Sequence, residues 1–141
     1  MKEGFMNKPS YIGAPAVFLL ELCCQQINDA FGDYGCYLVG SALERQNWRD
    51  VDVRFIMDDD EFRKLFPDTY TDSVLWEFNP RWTIINAGIA EWIKGRTGLP
   101  IDFQIQPQTW ANERHDKQRS ALGIRHNAKL LGATLLTGRS Q

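Results

Sequence analysis

The sequence is short of several things at once. Its 141 residues include three cysteines and two histidines, and Cys23, Cys24 and Cys36 lack Cys-x-x-Cys spacing. An odd number of thiols, two of them adjacent, does not make a disulfide framework, so reduced, semi-buried cysteines in a cytoplasmic protein are expected. His115 and His126 stand apart from any acid or cysteine at ligand spacing, which excludes the usual zinc patterns and leaves solvated surface positions as the expectation. Long apolar runs are missing as well. Pro15 to Leu22 is too short to span a bilayer and the first ten residues hold no signal-peptide core, so no membrane association is expected. Charge of one sign is also lacking: a formal net charge of -2 argues against coating nucleic acid through bulk electrostatics, though not against a local basic groove.

What is present suits one packed domain. A hydrophobic content of 43% with 12% aromatics is too high for general disorder, and a chain of this length buries roughly two thirds of its unfolded surface around one core. No repeat, low-complexity tract or linker divides it, so residues 1–141 are read as a single domain. Local charge is uneven. Acids concentrate from Asp50 to Glu77, including Asp58-Asp59-Asp60-Glu61, while Arg114, Lys117, Arg119, Arg125, Lys129 and Arg139 make the C-terminal segment basic. Solvated faces account for both; the basic segment could alternatively follow an acceptor's phosphates.

Periodicity supplies the elements. From Ala16 to Phe31, Val17, Leu20, Cys24, Ile27 and Phe31 recur at three- and four-residue spacing, one stripe of an amphipathic helix with Glu21, Gln25, Asn28 and Asp29 off it. Gly32 and Gly35 end that helix, and Cys36 to Val39 is an apolar run of strand length. Gly40-Ser41 follows directly, with Ala42 to Arg45 able to form a helical turn. Asp50 to Met57 then alternates: Val51, Val53, Phe55 and Met57 point one way, and Asp50, Asp52, Arg54 and Ile56 the other. Asp58 or Asp59 is an N-cap for a short helix burying Phe62, Leu65 and Phe66 and stopped at Pro67, which accounts for the acidic run. Tyr70 to Phe78 is ambiguous. Pro80 opens a helix with Trp82, Ile85, Ile89, Trp92 and Ile93 on its core stripe, closed by Gly95 and Gly98. Leu99 to Pro107 alternates again, setting Asp102, Gln104 and Gln106 on one face. Thr109 to Ser120 is a polar helix candidate, and Ala121 to Gln141 has no clear assignment. The fold class is α/β (α+β), a short mixed sheet flanked by helices.

Asp50 and Asp52 share a strand face about 7 Å apart at Cα, a spacing from which two carboxylates can converge on hard cations such as Mg²⁺. Asp102 can join them if its strand pairs beside theirs. Gly40, lacking Cβ, lets backbone approach a phosphate, and the Ser41 hydroxyl can bind its oxygens. Arg45 or Arg49 could assist. Trp48 lies just before Asp50, where it could cover a nucleotide or pack under the loop; packing is the expectation.

At Val39-Gly40-Ser41, Asp50-Val51-Asp52-Val53 and Ile101-Asp102-Phe103 the sequence resembles the small single-domain members of the DNA polymerase beta-like nucleotidyltransferase superfamily. The resemblance covers roughly residues 36–106 and leaves 107–141 unassigned. It implies a minimal nucleotidyltransferase-like fold in which Asp50 and Asp52 bind two Mg²⁺ or Mn²⁺ ions, Asp102 ligates the catalytic one and helps deprotonate the attacking hydroxyl, and Gly40 and Ser41 hold the triphosphate of an NTP. The loop Ala42 to Arg49 lacks the Arg-x-x-Gly common after Gly-Ser in such proteins. The chain is also too short for the large helical acceptor domain of longer members. The acceptor, whether protein, RNA or small molecule, would then be held by the C-terminal segment, by a partner subunit, including a second copy, or by nothing. The same fold also serves as a catalytically silent nucleotide-binding or protein-interaction module, antitoxin-like in kind, and that alternative stands beside the enzyme.

Overall fold

The computed structural model describes residues 10–32, 34–67, 77–115 and 118–124. In chain order the elements are α1 (Ala16–Phe31), β1 (Gly35–Val39), α2 (Ser41–Glu44), β2 (Val51–Met57), α3 (Asp59–Leu65), α4 (Pro80–Thr97), β3 (Ile101–Pro107), α5 (Gln108–Arg114) and β4 (Ser120–Leu122). The four strands form one mixed sheet in the order β3-β2-β1-β4. β1 pairs antiparallel with both β2 and β4, while β2 and β3 run parallel because α3 and α4 carry the chain back between them. This is the expected α/β architecture of a short mixed sheet flanked by helices.

Alternation sorts the side chains. Val51, Val53, Phe55, Phe103, Ile105, Cys36 and Leu38 are buried in a core shared with Leu20, Cys24 and Ile27 of α1, Trp82 and Ile93 of α4, and Phe62 and Phe66 of α3. Phe31 reaches the Phe55 ring at 5.4 Å, yet 36% of its surface stays exposed. The stripe of α1 therefore runs through Cys23 rather than ending firmly on Phe31. Cys24 hydrogen-bonds Cys36 inside this core, and that bond, then burial, pushes its thiol well above the ordinary value. All three cysteines are free and buried.

Helix ends follow their caps. The Asp58 carboxylate accepts from the N–H groups of Asp60 and Glu61, and the acids behind it pair with Arg63 and Lys64, so the acidic run starts and decorates α3. Asn79 caps α4 ahead of Pro80, and Gly98, with φ of 76°, closes it. Gly95 departs from the sequence expectation and does not end α4; it sits within the last turns, exposed, where a glycine costs propensity without breaking the helix.

Both sides of the sheet are tied to helices by asparagines. Asn28 of α1 accepts from Cys36 N–H at 2.9 Å and donates to the Leu122 carbonyl at 3.0 Å, joining β1 to β4. On the opposite edge the outward-facing backbone of Ile105 is satisfied by α4. Its N–H donates to Asn86 Oδ1 at 2.7 Å, and its carbonyl accepts from Trp82 Nε1 at 2.9 Å. An edge strand whose polar groups are covered in this way cannot recruit another strand there, and its position relative to β2 is fixed.

Two sequence expectations need correction here: Asp50 lies outside the alternating strand, which begins at Val51, and the helix expected from Thr109 to Ser120 is shorter. The polar helix stops at Arg114, short of Ser120, because Ser120 to Leu122 pair with β1. A three-residue strand is too short to show a period of two. Residues 70–76 and 125–141, with His126, lie outside the described residues. No described helix is long and apolar enough to cross a membrane.

Candidate active site

The polar face of the sheet is organised in rows. Val39, Asp52 and Asp102 are register partners in one row, and Tyr37, Arg54 and Gln104 form the next, with Ala121 beside Tyr37. Gly35, Ile56 and Gln106 make a third. Asp52 and Asp102 thus stand on adjacent strands, about 4.8 Å apart at Cα. The start of the pairing is pinned by Val51 N–H donating to the Pro100 carbonyl at 2.9 Å. Asp50, two residues before Asp52, is exposed at the mouth of the same end.

Gly40 closes this end from the β1 side. Its φ of 79° and ψ of -157° are essentially restricted to glycine, and a Cβ built there would run into the Asp52 carboxylate. The Gly-Ser turn and the second acid of Asp-x-Asp are therefore in contact. Ser41 begins α2, and its Oγ accepts from Arg49 N–H at 3.4 Å, which folds the loop back over the turn. Arg45, which closes α2, and Arg49 are both exposed. Trp48 packs against the core and donates from Nε1 to the Tyr11 carbonyl at 3.1 Å, so it supports the loop and does not stand over the acids.

Electrostatics agree with the geometry. The half-buried Asp52 carboxyl is pushed up, first by burial; Arg54 works in the opposite direction, and Asp102 and Asp50 add to the rise. Two carboxylates side by side in one row of the sheet, with that of Asp50 just ahead of β2, are hard oxygen donors of the kind a divalent cation takes. The side chains are nevertheless not gathered: among the described residues no three acids, histidines or cysteines form a cluster that would hold a metal as it stands. One reason is visible at Asp102, whose Oδ2 faces Arg54 Nη2 at 3.4 Å.

Arg54 is the residue that sequence reasoning missed. Alternation puts it on the polar face, where a solvated arginine is the ordinary expectation, yet it is 9% exposed. Its Nη1 donates to the carbonyls of Asp102 at 2.7 Å and Val53 at 3.1 Å, while its buried Nε has no partner among the described residues. His115 also departs from expectation. Instead of a solvated surface residue it is half-buried at the end of α5, with Nε2 3.1 Å from Gln106 Oε1. Burial first, and then Arg54, Arg119 and Arg114, hold its imidazole below the ordinary value, so it is neutral near pH 7. Trp82 is buried and bonded to β3, and Trp92 stacks with Arg96, in keeping with structural roles on α4.

Compared with protein-family models, curated proteins and solved structures, the chain matches none of them.

Proposed function

We propose that this chain is a metal-dependent nucleotidyltransferase, moving a nucleoside monophosphate from an NTP to an acceptor hydroxyl with release of pyrophosphate. The observation that carries the reading is the row in which Asp52 stands in register beside Asp102, with the Gly40 turn closed onto the Asp52 carboxylate. Asp50, Asp52 and Asp102 would hold Mg²⁺ or Mn²⁺, which when bound neutralises the triphosphate and lowers the pKa of a coordinated hydroxyl. Gly40 lets backbone approach the phosphates, and the Ser41 hydroxyl binds them, with Arg45 and Arg49 exposed nearby as further cations. The acceptor hydroxyl gives its proton to a carboxylate, Asp102 being best placed by role. Its oxygen bonds to the α-phosphorus as the bond to the β-phosphate's bridging oxygen breaks, and that electron pair leaves with pyrophosphate. Protein, RNA and small molecules all offer suitable hydroxyls. Buried reduced thiols suit a cytoplasmic setting, and a partner subunit or second copy could complete the acceptor side.

The second reading, a catalytically silent nucleotide-binding or protein-interaction module, is favoured by one feature: Asp102 is turned to Arg54 and the three acids are not gathered. Label transfer from the four α-³²P NTPs in Mn²⁺ to candidate proteins and RNAs separates the two. Transfer by wild type that is lost in Asp50→Asn and Asp52→Asn supports the enzyme. Metal-dependent nucleotide binding without transfer supports the silent module, and the absence of both removes the site from consideration.

A further inference from the structure

Buried guanidinium groups are uncommon, because a charge is taken out of water only when something compensates. Arg54 is compensated unevenly. Its strongest contact is Nη1 to the main-chain carbonyl of Asp102, at 2.7 Å, with a second to Val53 at 3.1 Å. The contact from Nη2 to the Asp102 carboxylate, at 3.4 Å, is longer than a good charge-assisted hydrogen bond of roughly 2.7–2.9 Å. The guanidinium is thus fastened to backbone and only loosely to the carboxylate.

Exposure shows the same asymmetry. The Arg54 side chain is 10% accessible and that of Asp102 is 48%. If the pair separates, the carboxylate is the partner free to move. It has somewhere to go, since Asp52 lies beside it in register.

We infer that Arg54 is a positioning residue that holds the Asp102 carboxylate out of the three-acid site until a divalent cation draws it away. This rests on the metal-binding reading of Asp50, Asp52 and Asp102 and adds to it a resting state with a competitor built in. Without a cation, three carboxylates at one end of a sheet repel one another, and one of them turns to the neighbouring row, where the fixed positive charge is. With a cation, the loose 3.4 Å contact is the one given up, while the carbonyl contacts keep the guanidinium in place. The fork geometry matters: an ammonium at the same position cannot donate to two carbonyls and a carboxylate from one plane.

The test is Mn²⁺ binding, read as loss of the free-ion electron paramagnetic resonance signal, on the whole chain without nucleotide. Wild type is compared with Arg54→Met, Arg54→Lys, Asp102→Asn, Asp52→Asn and the double variant Arg54→Met/Asp102→Asn, each checked for folding by circular dichroism. Arg54→Met should bind Mn²⁺ about three- to tenfold tighter than wild type, the range expected for losing a half-exposed ion-pair competitor. Arg54→Lys should lie between, and it decides the matter should the methionine variant fail to fold. In the Asp102→Asn background the gain should shrink to less than about twofold, since the competition acts through that carboxylate. Folded Arg54 variants that bind no tighter than wild type overturn the inference, as does a gain that persists undiminished without Asp102. If wild type binds Mn²⁺ and Asp52→Asn does not, those outcomes leave the metal site standing. If no variant binds, both fall.

Discussion

Replacing Gly40 with alanine should separate two effects that the structure superimposes at one Cα. The backbone there occupies φ 79°, ψ -157°, a region in which a residue with a Cβ is strained by about 1–3 kcal/mol. The new methyl would also meet the Asp52 carboxylate. Because Asp52 is only partly buried, the carboxylate can swing outward, adding about 1 kcal/mol by analogy with a side chain forced off its rotamer. The sum is about 2–4 kcal/mol, and at roughly 2–4 °C per kcal/mol for a chain near this size the thermal midpoint should fall by about 4–16 °C. Function should suffer more than stability. A carboxylate displaced by about 1 Å can cost 10²-fold in a reaction that depends on positioning, and Mn²⁺ affinity should fall with it. Thermal denaturation and Mn²⁺ titration should be run on Gly40→Ala, Asp52→Ala and the double variant. In the Asp52→Ala background the clash is gone and the strain remains, so the cost of the alanine should drop by the clash portion alone. A Gly40→Ala protein melting within 1 °C of wild type would refute the strain, and an undiminished cost in the Asp52→Ala background would refute the contact.

Asn86→Leu should lower stability by about 2–4 kcal/mol. It leaves the Ile105 N–H without its acceptor at a site where Asn86 is 4% exposed, and an unsatisfied buried donor costs about 1–3 kcal/mol besides the lost bond. Chemical denaturation measures it, and hydrogen exchange at Ile105 should accelerate selectively over β1 amides. Asp52→Asn should stabilise the protein at neutral pH. The folded state raises the Asp52 pKa, so the carboxyl's contribution is full below the unfolded value near 3.9 and is lost as pH rises through the folded value. A gain of up to about 1 kcal/mol, modest because the group is half-exposed, should therefore appear at pH 7 and vanish below about pH 4. A melting-temperature difference that is constant between pH 3 and pH 7 would contradict this.

Much of the acid end of the site was legible in the sequence because it is written in local periodicity. Asp50, Val51, Asp52 and Val53 alternate, Ile101, Asp102 and Phe103 alternate, and each pattern has a buried face that fixes the direction of the acid. The distances between strands are not local. Asp102 comes beside Asp52 because β3 is parallel to β2 in one register, held by Val51 to Pro100 and by Asn86 and Trp82 of α4 to Ile105. Asn28 and Asn86 read as polar positions on amphipathic helices, and their bonds run to strands 8 to 94 residues away. Arg54 shows a different limit. Alternation gave its face correctly, but its burial goes with non-local packing, the sheet face being met by α5 from later in the chain, which no local pattern announces.

Register also explains why the site takes the form it does. Along the polar face each acid is followed two residues on by a side chain that is not an acid: Arg54 after Asp52 on β2, and Gln104 after Asp102 on β3. A one-residue slip of β3 would turn Asp102 into the core, which burial of Phe103 and Ile105 forbids. A two-residue slip would keep every apolar side chain inside and is not opposed by hydrophobic patterning. In one direction it would set Asp102 directly beside Arg54, an ion pair in place of two repelling carboxylates, and so would be favoured by side-chain electrostatics. What excludes it is the specific anchoring of Ile105 by Asn86 and Trp82, because a shift by two residues would bring different backbone groups to those two side chains. Helix α4, which contributes none of the proposed site residues, is therefore what keeps Asp102 in the acid row, with Arg54 in the next row reaching it only at 3.4 Å.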